Sequence, residues 1–239
     1  MQLINLPNIL TLINLLAGCF ALMFVYNFPN NFALVPFCTL ISLVADFFDG
    51  FAARATKSNS EIGKQLDSLA DVVSFGAVPG AILFQLLFQY FQAGEYGFIE
   101  LYILAAPGYL VTLFAALRLA KFNIDTRQTD GFIGLATPAA TIFVVGLLAI
   151  FVTNSMGLSS FVFSPYILYG SAIVLPALMI AELPMFAFKF KGFGWKGNEV
   201  QYLFIILSVV LLATLKFVAI PVIIILYVLT SIALKLKAK

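Results

Sequence analysis

The 239-residue chain has no histidine, two cysteines and one tryptophan, and only 10% of its residues are charged. Without histidine there is no imidazole to bind a metal and no Ser-His or Cys-His pairing for nucleophilic catalysis. Cys19 and Cys38 lie inside apolar runs with no Cys-x-x-Cys pair, which excludes a disulfide framework and a thiolate metal site. They read as small hydrophobes in helices. Any metal is therefore held by oxygen, which points to a hard cation such as Mg²⁺ or Mn²⁺. The charge is too sparse for a soluble surface. The formal net charge of +2 comes without a basic, aromatic-interleaved patch, so no nucleic-acid partner is indicated.

What is abundant is apolar surface: 62% of residues are hydrophobic and the mean hydropathy is +1.06. That composition specifies an all-α, polytopic membrane bundle. With about 20 residues per crossing, the chain divides into eight spans near 8–26, 32–52, 68–92, 98–121, 137–154, 161–181, 201–216 and 218–235. The last two also fit one long segment bent near Lys216 and Pro221. The N-terminal run Ile9 to Tyr26 lacks a basic flank and a small-residue cleavage site, and is read as a retained first helix. No repeat or low-complexity tract divides the chain, so residues 1–239 form a single membrane domain.

Basic residues set the expected orientation. Arg54, Lys57, Lys64, Arg118, Lys121, Arg127, Lys189, Lys191, Lys196, Lys235, Lys237 and Lys239 all fall on alternate connections or the C-terminus, and Lys216 alone on the other side. By the positive-inside rule both termini and those loops are cytoplasmic, in the inner membrane of a prokaryote.

Against that background the acidic residues stand out. Of eleven, four fall at Asp46, Asp49, Asp67 and Asp71, in or against apolar helices. A carboxylate at a membrane helix centre costs roughly 2.5 to 3.5 kcal/mol, so four together need a function. Spacings of i,i+3 and i,i+4 put each pair on one helix face. The short connection makes the two helices antiparallel neighbours, so all four carboxylates converge. Like charges this close need cations, and a pair of bridged divalent metals suits displacement at phosphorus. Gly50, Ala53 and Gly63 leave the helices bare enough for a base or pyrophosphate to approach, and Arg54 is placed to fork to a phosphate oxygen.

The string D-x-x-D-G-x-x-A-R, eight residues, G-x-x-x-D-x-x-x-D, which spans residues 46–71 across the ends of helices 2 and 3, resembles the signature of the CDP-alcohol phosphotransferase family at every fixed position. The resemblance implies a six-helix catalytic core plus two further helices, with an active site on the cytoplasmic side. It implies transfer of a phosphatidyl-type group from a CDP-linked lipid to an alcohol, with release of CMP. Asp46, Asp49 and Asp67 are then ligands for two Mg²⁺ or Mn²⁺ ions. Asp71 is the base and completes the metal site. Gly50, Ala53, Arg54 and Gly63 frame the cytidine diphosphate beside Asp46 and Asp49. A homodimer among membrane lipids is implied as well.

Three further stretches, Val72 to Pro79, Arg118 to Asn123 and Gly134 to Ala140, together with Pro7 to Asn14, resemble the family branch whose substrates are CDP-diacylglycerol and L-serine. Ala136 departs from it where proline is usual, a change to a loop bend. Arg118 is then the residue to clamp the serine carboxylate and Asn123 to add a hydrogen bond. Asn8, Thr11 and Asn14, at helical spacing on helix 1, line the nucleotide pocket. Transfer to glycerol 3-phosphate or inositol phosphate is the alternative reading; it demands extra basic residues for the acceptor phosphate, for which Arg118, Lys121 and Arg127 are the candidates. A membrane prenyltransferase separates its two aspartate motifs much further, and a cation transporter holds its carboxylates at midplane between broken helices.

Overall fold

The computed structural model describes residues 4–27, 31–56, 60–125, 132–186, 192 and 194–237. Lys57, Arg127, Lys189, Lys191 and Lys239, used in the sequence reading, lie outside the described residues. Helices dominate: α1 (Leu6–Tyr26), α2 (Leu34–Ala55), α3 (Glu61–Asp71), α4 (Val78–Gln92), α5 (Phe98–Ala105), α6 (Leu110–Ile124), α7 (Thr137–Thr153), α8 (Ser159–Val162), α9 (Pro165–Ile180), α10 (Glu199–Leu215) and α11 (Ala219–Lys237). Two-residue strands β1 (Phe132–Ile133) and β2 (Pro184–Met185) pair antiparallel. Among the described residues, five continuous stretches are long and apolar enough to cross a membrane: Leu6–Tyr26, Leu34–Ala55, Glu61–Gln92, Phe98–Ile124 and Glu199–Leu236. α7 and α9 are shorter apolar helices. The protein is an all-α membrane bundle.

Helical periodicity sorts α1 into two materials. Its buried residues recur every three or four positions, as one face requires. They are polar at one end (Asn8, Thr11, Asn14) and small or apolar beyond (Ala17, Gly18, Ala21, Val25). The facing stripe of α2 runs Val35, Cys38, Thr39, Ser42, Ala45, Asp49, Ala52. Outside that stripe, Phe37, Phe47, Phe48 and Phe51 are exposed. An apolar solvent accepts such a surface where water does not.

The central rod is α3, a six-residue π-helical turn Val72–Ala77, and α4. It starts well before the expected span. The reason is local: the Ser60 hydroxyl accepts from the Gly63 backbone N–H at 3.0 Å, an N-cap that adds two turns. Gly63 and Asp67 therefore sit on a helix. The π turn has its own cause. Pro79 carries no N–H, so the donor an α-helix would aim at the Phe75 carbonyl is missing. The Thr141 hydroxyl of α7 reaches that carbonyl at 3.0 Å, sharing its proton with the Thr137 carbonyl at 2.9 Å, and Thr112 of α6 donates to the Gly76 carbonyl at 2.9 Å. The widened turn directly follows Asp71 and is clamped by both neighbours. Around α4 almost everything is buried, from Val78 through Leu87. Gly108, in the short 3₁₀ turn between α5 and α6, lets that rod touch α4: a Cβ there would collide with the Phe84 backbone.

At the C-terminal end the helix breaks at Lys216 (φ 52°, ψ −127°). The Phe204 and Tyr227 rings lie 6.2 Å apart. A straight helix would separate residues 23 apart by roughly 34 Å, so α10 and α11 double back as a hairpin. α11 packs on α7 and β2, whereas α10 has no buried residue and leans on α11.

Candidate active site

The four aspartates come from the C-terminal halves of α2 and α3. Carboxylate oxygens of Asp46, Asp49 and Asp67 all lie within 4.8 Å of one another, close enough to share one cation. Asp71, one turn deeper on α3, stands apart from that trio and is buried. The donor set is all oxygen, as Mg²⁺ or Mn²⁺ requires. Asp67 Oδ1 is buried without a hydrogen-bond partner, an orphan that fits a cation.

α1 positions these acids from below. The Thr11 hydroxyl donates to Asp49 Oδ2 at 2.6 Å, the short distance of a charge-assisted bond. Asn14 Nδ2 donates to Asp71 Oδ1 at 3.1 Å. The Asn14 carbonyl in turn accepts from Ser42 of α2 at 3.1 Å and from Ser74 of the π turn at 3.0 Å. Asn14 is thus a fully buried junction of three elements, with Asp71 as its side-chain partner.

Beside the trio lies a cleft of about 440 Å³. Six residues assigned from sequence to the cytidine diphosphate line it: Asn8, Thr11, Asp49, Gly50, Ala53 and Gly63. Asp67 reaches into it as well, and Ser60, Glu61 and Lys64 close its mouth. A side chain at Gly63 would press on Asn8 and Ser60, at 3.2 and 3.1 Å from the new carbon. Asn14 does not line this cleft. Arg54 is exposed, with its guanidinium 3.5 Å from where a Cβ on Gly50 would stand.

On the other side of Asp71, α6 brings up Arg118. It is 7% exposed, its Nε has no partner, and the described residues offer its guanidinium no hydrogen bond. The Phe122 ring lies 6.0 Å from its guanidinium carbon, and the Asp71 carboxylate is near enough for its charge to act on it. Asn123 is occupied differently: its amide donates to Ser68 at 2.8 Å and its carbonyl accepts from Lys64 Nζ at 2.9 Å, strapping α6 to α3. Lys121 pairs with Glu182 at 3.2 Å.

Among the described residues, four buried side-chain atoms lack a partner: Asn14 Oδ1, Asp67 Oδ1, Arg118 Nε and Thr137 Oγ1. Leaving such a group unsatisfied costs about 1 to 3 kcal/mol. Three of the four, on Asn14, Asp67 and Arg118, belong to residues on or beside the aspartates.

A family model described as CDP-alcohol phosphatidyltransferase matches residues 4–183. The chain belongs to that family. The match covers the aspartates, the cleft and Arg118, and ends before α10 and α11. Curated relatives agree. One from Helicobacter pylori, named CDP-diacylglycerol–serine O-phosphatidyltransferase, is 36% identical over 142 residues, 58% of this chain and 55% of its own length. Proteins of the same name from Methanocaldococcus jannaschii and Bacillus subtilis are each 30% identical. They align over 182 and 189 residues, which is 76% and 77% of this chain and 74% and 91% of theirs. The chain thus spans about half the length of the Helicobacter relative and most of the Bacillus one.

Proposed function

We propose that the protein transfers a phosphatidyl group from CDP-diacylglycerol to L-serine, forming phosphatidylserine and CMP. The observation that carries the acceptor assignment is Arg118, a buried guanidinium with no hydrogen bond among the described residues, close to Asp71. A planar guanidinium matches a carboxylate through two parallel bonds, and serine is a small alcohol that carries one. The names of the relatives point the same way.

The cleft has the size of a small-ligand site. Its bare wall at Gly50, Ala53 and Gly63 suits the cytidine diphosphate, with Asn8 supplying polar contacts and Arg54 beside Gly50 turned to phosphate. Asp46, Asp49 and Asp67 would hold the divalent cations, Mg²⁺ or Mn²⁺ and two in number, which when bound would stabilise negative charge on the phosphates. Thr11 fixes the Asp49 carboxylate for that task. Asp71, held by Asn14 and separate from the trio, receives the proton of the serine hydroxyl. The serine oxygen forms its bond to the β-phosphorus as the bond to the CMP oxygen breaks, and CMP departs as an anion. No covalent enzyme intermediate is needed. By the distribution of lysine and arginine the site opens to the cytoplasm, in the inner membrane of a prokaryote.

The acceptor assignment is tested with Arg118→Lys, which keeps charge and loses the fork. Serine KM should rise roughly 10- to 100-fold, the loss of one or more charge-assisted bonds, while the KM for CDP-diacylglycerol holds. An unchanged serine KM, or transfer to glycerol 3-phosphate in preference to serine, would contradict it.

A further inference from the structure

Of the three buried polar residues at the start of α1, Asn8 and Thr11 line the cleft and Asn14 does not. Asn14 is fully buried, and its backbone is tied from two sides. Its carbonyl accepts the Ser42 hydroxyl of α2 at 3.1 Å and the Ser74 hydroxyl of the π turn at 3.0 Å. Gly18, one turn further along the same face of α1, makes room for this, since a Cβ there would collide with Ser74. With α1, α2 and the π turn joined at one carbonyl, the Asn14 side chain leaves from a fixed point.

An asparagine is a costly way to fill that space. Its Oδ1 is buried without a partner, and an unsatisfied buried acceptor costs about 1 to 3 kcal/mol. Leucine has nearly the same shape and no polar atom to leave unpaired. What leucine lacks is an N–H. The Asn14 amide donates to Asp71 Oδ1 at 3.1 Å. No described residue donates to Asp71 Oδ2, which leaves that oxygen for a proton from elsewhere.

We propose that Asn14 is the positioning residue for the base: its amide holds Asp71 by Oδ1, so that Oδ2 is the oxygen presented to the acceptor hydroxyl. The proposal rests on the reading that Asp71 receives the proton of that hydroxyl. As the serine oxygen bonds to phosphorus, its proton passes to Asp71 Oδ2, while Oδ1 stays on the Asn14 N–H. The terminal torsion of an aspartate is broad and two-fold when nothing holds it. A carboxylate free to turn would spend part of its time with neither oxygen aimed at the hydroxyl, and a misplacement of about 1 Å can cost about 10²-fold in rate. Asn14 thus serves the proton transfer, not the nucleotide contact expected from its helical spacing with Asn8 and Thr11.

The test is a double-mutant cycle on the full chain purified in detergent, read by CMP release over a range of CDP-diacylglycerol and serine with Mn²⁺ present. Asn14→Ala should lower kcat roughly 10- to 100-fold, the worth of a hydrogen bond to a charged group. The KM for each substrate should stay within about twofold of the parent. In the Asp71→Asn background the same substitution should change kcat by less than about twofold, because the base it serves is gone. Ser74→Ala, which loosens the Asn14 backbone, should lower kcat roughly threefold in the parent and not in Asp71→Asn. A kcat for Asn14→Ala equal to the parent's would overturn the proposal, as would an equal loss in both backgrounds. A raised KM for CDP-diacylglycerol in place of a lowered kcat would overturn it too, and would return Asn14 to the nucleotide. If Asp71→Asn loses activity while Asn14→Ala keeps it, this inference alone fails. If Asp71→Asn keeps the parent kcat, the reading of Asp71 as base fails with it. Should Asn14→Ala not fold, Ser74→Ala decides in its place: a loss confined to the parent background supports the proposal, and an equal loss in both, or none, overturns it.

Discussion

Asp71→Asn is expected to lower kcat by roughly 10² to 10⁴-fold, the usual contribution of a positioned general base, without loss of CDP-diacylglycerol binding. The substitution is nearly isosteric, and the new amide oxygen can still accept from Asn14 Nδ2, as Asp71 Oδ1 does at 3.1 Å. The cleft for the nucleotide lies on the far side of the trio and does not include residue 71. Folding should not suffer. Asp71 is a buried carboxylate outside the trio but near enough for the charges of Asp46, Asp67 and Asp49 to act on it, and removing a charge there relieves repulsion. The thermal midpoint in detergent should stay level or rise. Single-turnover CMP release, with binding measured on the same sample, separates the outcomes. A variant that unfolds or loses the donor lipid would make Asp71 structural, and one that turns over normally would remove it from the chemistry.

Asp67→Asn is expected to act on metal rather than on the proton. Its Oδ1 is buried and unpartnered within a trio whose oxygens lie within 4.8 Å of one another. A ligand that binds only the native state raises its stability, so Mn²⁺ should raise the thermal midpoint of the parent protein and of Asp71→Asn. The upshift should vanish in Asp67→Asn, and activity should fall by roughly 10²-fold or more, as loss of several kcal/mol of charge stabilisation requires. Asp67→Asn protein that keeps the full Mn²⁺ upshift would show that the trio is not the metal site.

Much of this site was legible before any coordinates. The i,i+3 and i,i+4 spacings put Asp46 with Asp49 and Asp67 with Asp71 because helix geometry leaves no choice, and the connection between α2 and α3 is too short for anything but neighbours. The small residues Gly50, Ala53 and Gly63 were likewise read as open wall. Depth was not legible. Asn8, Thr11 and Asn14 share a face of α1, but period alone does not say which neighbour each meets. Asn8 and Thr11 line the cleft, while Asn14, one turn further in, holds Asp71. The π turn had a visible trigger in Pro79, yet the donors that stabilise it, Thr112 and Thr141, come from helices more than 30 residues away. The bonds of Glu182 to Lys121 and Lys235 are long-range contacts that no local pattern encodes. The start of α3 shows the opposite case, since Ser60 three residues before Gly63 is a local cap signal that places the boundary.

The measurement that bears most directly on the central claim is CMP release by the purified protein. It is supplied with CDP-diacylglycerol and Mn²⁺ or Mg²⁺, and then with serine, glycerol 3-phosphate or inositol phosphate in separate reactions. The predicted result is CMP formed only with serine and matched mole for mole by phosphatidylserine. CMP release that ignores serine, or follows another acceptor, or does not occur with any of them, would contradict it.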